Sequence, residues 1–159
     1  MSQSTDTRTP QAAPGVGATT IPAAFQATVV DRGDRLALHD FGTEKSLSWN
    51  DYARIVAEVA GGLADLGIGR GDTVAIMLPN CPEFHIIDMA TLHLGATPFS
   101  IYLTSAPEQI SYLFDNAENT VLVTESRFLP AIGARPLRGW RMWSSSIPST
   151  ATMRWARPG

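Results

Sequence analysis

The sequence predicts an α/β fold: an incomplete layered domain with a short parallel sheet and flanking helices. Three observations predict it. Short apolar runs recur at residues 74–78 (VAIML), 97–102 (TPFSIY) and 121–124 (VLVT), with starts about 24 residues apart; runs of this length suit strands. A helical pattern fills each interval, and a strand–helix–strand unit implies a right-handed crossover and parallel pairing. Capping residues and glycines punctuate the joins.

Taken in order, Thr20 caps a short helix that begins near Pro22, since proline is favoured in a first turn. Residues 23–30 continue it and DRGD at 31–34 closes it. Residues 35–41 (RLALHDF) alternate apolar and polar and read as a strand; FGTEKS at 41–46 turns, and Leu47 begins the next element. Ser48 with Asp51 three residues on is a capping pair for the free N–H groups of a first turn. Tyr52, Ile55, Val56, Val59, Leu63 and Leu66 then recur at the spacing of one buried helix face. Gly67 ends that helix, because glycine tolerates the left-handed conformation that follows a last turn. The unbroken run at 74–78 suits a strand covered on both faces. Asn80 with Glu83 reads as a second capping pair, opening a helix over 82–94 that is apolar nearly all round and expected to be buried. Gly95 stops it. Ser105 with Glu108 reads as a third pair, and Ile110, Leu113 and Phe114 give the following helix its apolar face.

The chain has 159 residues, 44% hydrophobic and 17% charged, enough for one domain and too apolar for a disordered chain. A single cysteine, Cys81, excludes an intrachain disulfide and a Cys-rich zinc site. No run is long and apolar enough for a membrane span, and the first 20 residues lack the apolar core of a signal peptide, so a cytoplasmic protein is expected. The net charge of −3 gives no general field toward nucleic acid, and no nucleic-acid partner is expected. That average hides a break. Every acid lies at or before Glu125, whereas residues 126–159 carry six arginines, three of the four tryptophans and no acid. The expected organisation is a flexible arm at 1–20, a domain at 21–133 and an irregular basic tail at 134–159. The tail admits a nucleic-acid or membrane-surface reading, but its basic and aromatic residues do not interleave regularly. An out-of-frame translation of a GC-rich gene accounts better for a composition rich in Arg, Pro, Ser, Trp and Gly.

No chemical motif stands clear of a structural reading. Gly67-Ile68-Gly69-Arg70-Gly71 has the glycines of a phosphate loop but follows a helix and opens a strand, the reverse of a dinucleotide loop. It reads as a tight connection, and Arg70-Gly71-Asp72 as a turn. Lys45, the one lysine, lies in a turn. His85, Asp88 and His93 share a helix, but the histidines are eight apart where zinc helices prefer four, and His39 is on a distant strand. Cys81 lies at a helix start, a place that lowers a thiol pKa, yet reads as a small apolar residue. Asp115 and Glu118 read as solvated. No catalytic, cofactor-binding or metal-ligating residue is assigned.

The stretches at 47–72 (LSWNDYARIVAEVAGGLADLGIGRGD), 74–84 (VAIMLPNCPEF), 90–118 (ATLHLGATPFSIYLTSAPEQISYLFDNAE) and 121–125 (VLVTE) resemble, in register, the N-terminal region of the adenylate-forming enzymes, specifically fatty-acid–CoA ligases of the FadD type. The likeness runs from about Ile21 to Ala131; Leu103 departs from a proline common there. It implies a long-chain fatty-acid–CoA ligase of lipid metabolism, which activates the acid with ATP to an acyl-adenylate and transfers it to coenzyme A. ATP, magnesium and coenzyme A are implied for the full-length family and none for this chain alone. The family's Thr-Ser-Gly-Thr-Thr-Gly loop, aromatic-Thr-Glu motif, ribose-binding Asp and C-terminal lysine all lie beyond the matched region. The resemblance therefore implies a truncated N-terminal fragment, inactive alone, with an open sheet edge. Its alternative is a non-catalytic interaction module that complements a separately made C-terminal part.

Overall fold

The computed structural model describes residues 12–132 and the backbone of residues 141–143. The elements run α1 (Ile21–Arg32), β1 (Leu36–Asp40), β2 (Lys45–Ser48), α2 (Trp49–Asp65), β3 (Thr73–Met77), α3 (Pro82–His93), β4 (Thr97–Ser100), α4 (Pro107–Ala117), β5 (Val121–Thr124), a 3-10 turn (Ser126–Phe128), α5 (Leu129–Ile132) and β6 (Arg141–Trp143). The main sheet is parallel, in the order β4-β3-β5-β6. β1 and β2 form a separate antiparallel hairpin.

β3 is the central strand, and its alternate side chains enter different cores. Val74 and Ile76, with Leu78 just beyond, join Val121 and Val123 of β5 in a core packed by residues of α1, α2 and α3. Ala75 and Met77 join Leu122, Ile110 and Phe114 of α4 and Ile132 of α5 in the other. Cover on both faces explains the unbroken apolar run at 74–78. In the first core, the Phe25 ring of α1 meets Trp49, Tyr52 and His93 at centroid distances of 5.8, 5.0 and 5.4 Å, tying three helices together. Two hydroxyls join elements elsewhere. Thr124 Oγ1 donates to the Met77 carbonyl at 2.9 Å, and Thr73 Oγ1 donates to the Ala117 carbonyl at 2.7 Å.

Two of the four expected helix caps hold as read. The Ala23 N–H donates to Thr20 Oγ1 at 3.2 Å, and the Asp51 N–H donates to Ser48 Oγ at 3.1 Å while that hydroxyl donates to Asp51 Oδ2 at 2.7 Å. The other two are displaced by one residue. α3 and α4 begin at Pro82 and Pro107, so their caps are Cys81 and Ala106, not Asn80 and Ser105. A proline in the first helical position fixes the cap immediately before it. Neither cap has a side-chain bond of its own; at α4 the Ala106 N–H donates to Gln109 Oε1 at 3.0 Å.

Three further differences follow from tertiary context. The pattern of residues 45–48 predicts a turn and a new start; pairing with β1, Leu38 opposite Leu47 and Asp40 opposite Lys45, makes them the strand β2. Residues 13–18 were read as part of a free arm. They form hydrogen-bonded turns, Val16 N–H to Ala13 and Ala18 N–H to Gly15. Gly15, with φ near +81°, lies so close to Ala24 that a Cβ there would sit 2.8 Å from its Cα. Residues 141–143, read as irregular tail, pair with Val121, Leu122 and Val123 as a fourth parallel strand. The rest of the expected arm and tail lies outside the described residues. α3 is also less buried than expected, with Ile86, Ile87, Ala90 and Thr91 its buried residues.

Because Ser48 is a bonded cap and Asn80 is not a cap, Ser48→Ala is expected to lower unfolding stability by about 1 kcal/mol. Asn80→Ala is expected to change it by less than about 0.5 kcal/mol. Urea denaturation of both variants checks this, and equal losses would contradict the cap assignment.

Candidate functional site

Sheet order and chain order part at β3. The chain leaves β3 through α3 to reach β4 on one side, then returns through α4 to β5 on the other. α3 packs in one core and α4 in the other, on opposite faces of the sheet. The loops after β3 and β5 therefore diverge, and open α/β sheets bind ligands outside the carboxyl ends of strands at such a point. The loop after β3 borders a cleft of about 350 Å³, formed by Asn80, Cys81, Pro82 and His85 on one side and the hairpin from Leu38 to Gly42 on the other.

The polar groups of this cleft are largely engaged within the chain. Asp40 accepts the Thr43 hydroxyl at 2.6 Å and the Gly42 N–H at 2.8 Å, and these bonds hold its carboxyl below the ordinary value. His39 Nδ1 is 2.8 Å from Ser46 Oγ, and its ring meets the exposed Phe41 edge-on at 4.5 Å. Burial pushes the thiol of the half-buried Cys81 up to about 11, so it is protonated at neutral pH. Lys45 of β2 reaches Glu83 Oε1 in the first turn of α3 at 4.0 Å.

The other singled-out residues are dispersed. In the glycine-rich connection the Gly67 N–H donates to Ala64, the Ile68 N–H to Leu63, the Gly69 N–H to Asp72 Oδ2 and the Gly71 N–H to Gly95. The first three amides close the α2–β3 join, and that of Gly71 ties it to the turn between α3 and β4. His93 packs on Phe25. Its Nδ1 lies 2.8 Å from the Met89 carbonyl, which can only accept, so Nδ1 carries the proton and Nε2 accepts from Gln26 at 3.0 Å. Glu118 ends α4 with φ near 50° and is exposed, as is Asp115. Among the described residues no group of three or more His, Cys, Asp and Glu could hold a metal ion.

One feature went unread. Tyr52 of α2 donates its hydroxyl to the His85 carbonyl at 2.9 Å, joining α2 to α3. Burial raises the Asp88 carboxyl above its free value of 3.8, with His85 acting weakly the other way. Burial and then the Asp88 charge raise the Tyr52 phenol. The signal was present: Asp88 is an acid set between Ile86, Ile87 and Met89 in an otherwise apolar helix.

Among the described residues the polar groups that could meet phosphates are engaged within the chain. The cations nearest the carboxyl ends of β3 and β5 are paired, Lys45 with Glu83 and Arg127 with Glu125, and the glycine amides are occupied. Among the described residues no helix is long and apolar enough to cross a membrane.

Comparison with known proteins adds identity to this geometry. The model of a family described as AMP-binding enzyme matches residues 25–147, past the boundary expected at 133 and through β6. The uncharacterized protein Rv1549 of Mycobacterium tuberculosis (strain ATCC 25618 / H37Rv) is 44% identical over 116 residues, 73% of this chain and 66% of that protein. 4-Coumarate–CoA ligase 5 of Oryza sativa subsp. japonica is 34% identical over 104 residues, 65% of this chain but 19% of the ligase. The chain thus spans about two thirds of one relative's length and a fifth of the other's. The N-terminal domain of FACL13 from Mycobacterium tuberculosis shares the fold, with a TM-score of 0.73 at 21% identity over 80% of this chain and 34% of that one. A Mycobacterium tuberculosis fatty acyl CoA synthetase does so at 0.70 and 18%, over 79% of this chain and 32% of that one.

Two outcomes are expected. Iodoacetamide should alkylate Cys81 at pH 7.5 about a hundredfold more slowly than free cysteine, the rate rising with pH toward 11; reaction at the free rate would contradict the buried thiol. For Asp88 the folded state favours the protonated carboxyl. Its contribution to stability is fully present below pH 3.8 and is lost as pH rises through the raised folded value. Asp88→Asn should therefore be more stable than wild type at pH 7, with the difference shrinking in acid. Thermal melts across that range check it, and a less stable variant at pH 7 would contradict it.

Proposed function

The chain belongs to the AMP-binding enzyme family, and from that membership we propose that it is the N-terminal part of a ligase that activates a long-chain fatty acid with ATP and passes it to coenzyme A. The match over residues 25–147 carries the proposal. The fatty-acid specificity is supported by the in-register stretches at 47–72, 74–84 and 90–118. The fold shared with a fatty acyl CoA synthetase agrees with it. A cytoplasmic location accords with this reading, since ATP and coenzyme A are both available there.

In this reading residues 21–147 supply a frame, and the groups that hold nucleotide, magnesium and coenzyme A come from the rest of the ligase. The unmatched tail then starts at residue 148, since β6 and the family match both continue past 133. A second reading, an interaction module that complements a separately made remainder, is favoured by Rv1549, a relative itself far shorter than the rice ligase.

ATP–pyrophosphate exchange with hexadecanoate tests both. The chain alone should give no exchange above the blank. Co-expression with the Mycobacterium tuberculosis fatty acyl CoA synthetase lacking its matched first part should restore it. Exchange by the chain alone would overturn the inactive-fragment reading, and none in the mixture would overturn complementation.

A further inference from the structure

We propose that the cleft between the β1–β2 hairpin and the start of α3 binds a flat heteroaromatic ring that bears an amino group beside a ring nitrogen and carries no phosphate. Every residue that lines the cleft belongs to β1, the turn after it or the segment from Asn80 to His85. It needs nothing from the rest of a ligase, so it stands or falls apart from the function proposed above. At about 350 Å³ it has room for a two-ring ligand.

One wall is aromatic and held in place before any ligand arrives. Phe41 stands at the hairpin turn with 86% of its surface exposed. A large ring left in water forgoes burial that a stacked ligand restores. The ring is nevertheless fixed. It meets His39 at 4.5 Å with the two planes 84° apart, and His39 Nδ1 is held 2.8 Å from Ser46 Oγ. Two rings at nearly a right angle form a corner, so a flat ligand stacked on one presents its edge to the other. Asp40 fixes the turn by accepting from the Gly42 N–H and the Thr43 hydroxyl. Leu38 and Pro82 add apolar surface to the lining.

The polar groups left over set the chemistry of the ligand. Asn80 caps no helix, and among the described residues its amide has no partner. A side-chain amide offers a donor and an acceptor side by side, and the matching edge is an amino group next to a ring nitrogen. The Asp40 carboxylate has two bonds within the chain, while an ionised carboxylate has about four lone-pair sites, so it also accepts from an amino group. That carboxyl is held below its ordinary value and is ionised at neutral pH. Glu44 lies 3.9 Å from His39 on the same hairpin, and Lys45 faces Glu83. The field at the cleft is therefore negative and disfavours a phosphorylated ligand.

The test uses the full chain and 2-aminopurine, whose fluorescence is quenched when it stacks. Wild type should quench it saturably. Phe41→Ala and Asn80→Ala, both at exposed positions and each checked by circular dichroism, should weaken binding about tenfold, the worth of one stack or one paired edge. Phe41→Leu, which keeps the apolar bulk and loses the ring, should weaken it similarly. Tyr102→Ala, which removes a similarly exposed ring outside the cleft, should leave binding unchanged. Purine without the amino group, used as a competitor, should bind about tenfold more weakly than 2-aminopurine, and so should the 5′-monophosphate of its riboside. No saturable quenching by wild type overturns the proposal, as does quenching lost in Tyr102→Ala or kept in full by Phe41→Ala or Asn80→Ala. Purine that competes as well, or a phosphorylated form that binds as tightly, overturns the ligand class.

Discussion

The layered structure depends on β3 being covered on both faces at once. Val74, Ala75, Ile76 and Met77 are each 1% exposed or less. Their alternation sends Val74 and Ile76 to one core and Ala75 and Met77 to the other. A strand in that position must have helices on both sides, and short crossovers can deliver them only if the chain passes to one face through α3 and the other through α4. The side-chain sizes follow suit. Five residues of β3 and its extension seed cores of unequal depth, the larger packed by three helices around the Phe25 cluster and the smaller by α4 and α5. The switch point beside β3 is thus a consequence of burial on two faces.

That logic also decides what was legible in the sequence. β3, β4, β5 and the helices between them are visible because period, length and punctuation agree there. β2 was not, because its strand character comes from β1 across the turn and not from its own pattern. Cap positions at Pro82 and Pro107 were misplaced by one because Asn80 and Ser105 have the right chemistry at the wrong offset, and the proline ring outranks the side chain. β6 had no periodicity to read in three residues; its parallel neighbour β5 defines it.

For the candidate site, the sequence showed which residues were chemically capable, and the structure shows what already occupies them. The amides at 67, 68 and 69 are used in joining α2 to β3 and that at 71 in tying the join to Gly95, so glycine content without a strand-to-helix context carried no phosphate site. His93 was visible as a histidine on an apolar helix, but its two bonds, to Met89 and Gln26, are contacts no linear pattern encodes. Asp88 and Tyr52 are each visible in the sequence, one as an acid among apolar residues and the other on a buried helix face, but only the packing of α2 on α3 brings a raised carboxyl near a buried phenol.

A frame whose polar groups are satisfied internally is what a divided active site requires of one of its parts. Groups left free for nucleotide would have to be desolvated or unpaired before the remainder arrives, and buried unpaired polar groups cost stability. Most of the described residues avoid that cost; the buried exceptions are Arg32 Nε and Asn119 Oδ1, which no hydrogen bond satisfies. Thr124 closes onto Met77, Thr73 onto Ala117 and Asp40 onto its own turn, and the cations near the carboxyl ends of β3 and β5 sit beside carboxylates. Among the described residues the edge strands of the main sheet are β4 and β6. Of the two edges, one contains a proline in the outward register. That proline removes an N–H, so β4 cannot offer a full set of donors on its outer side.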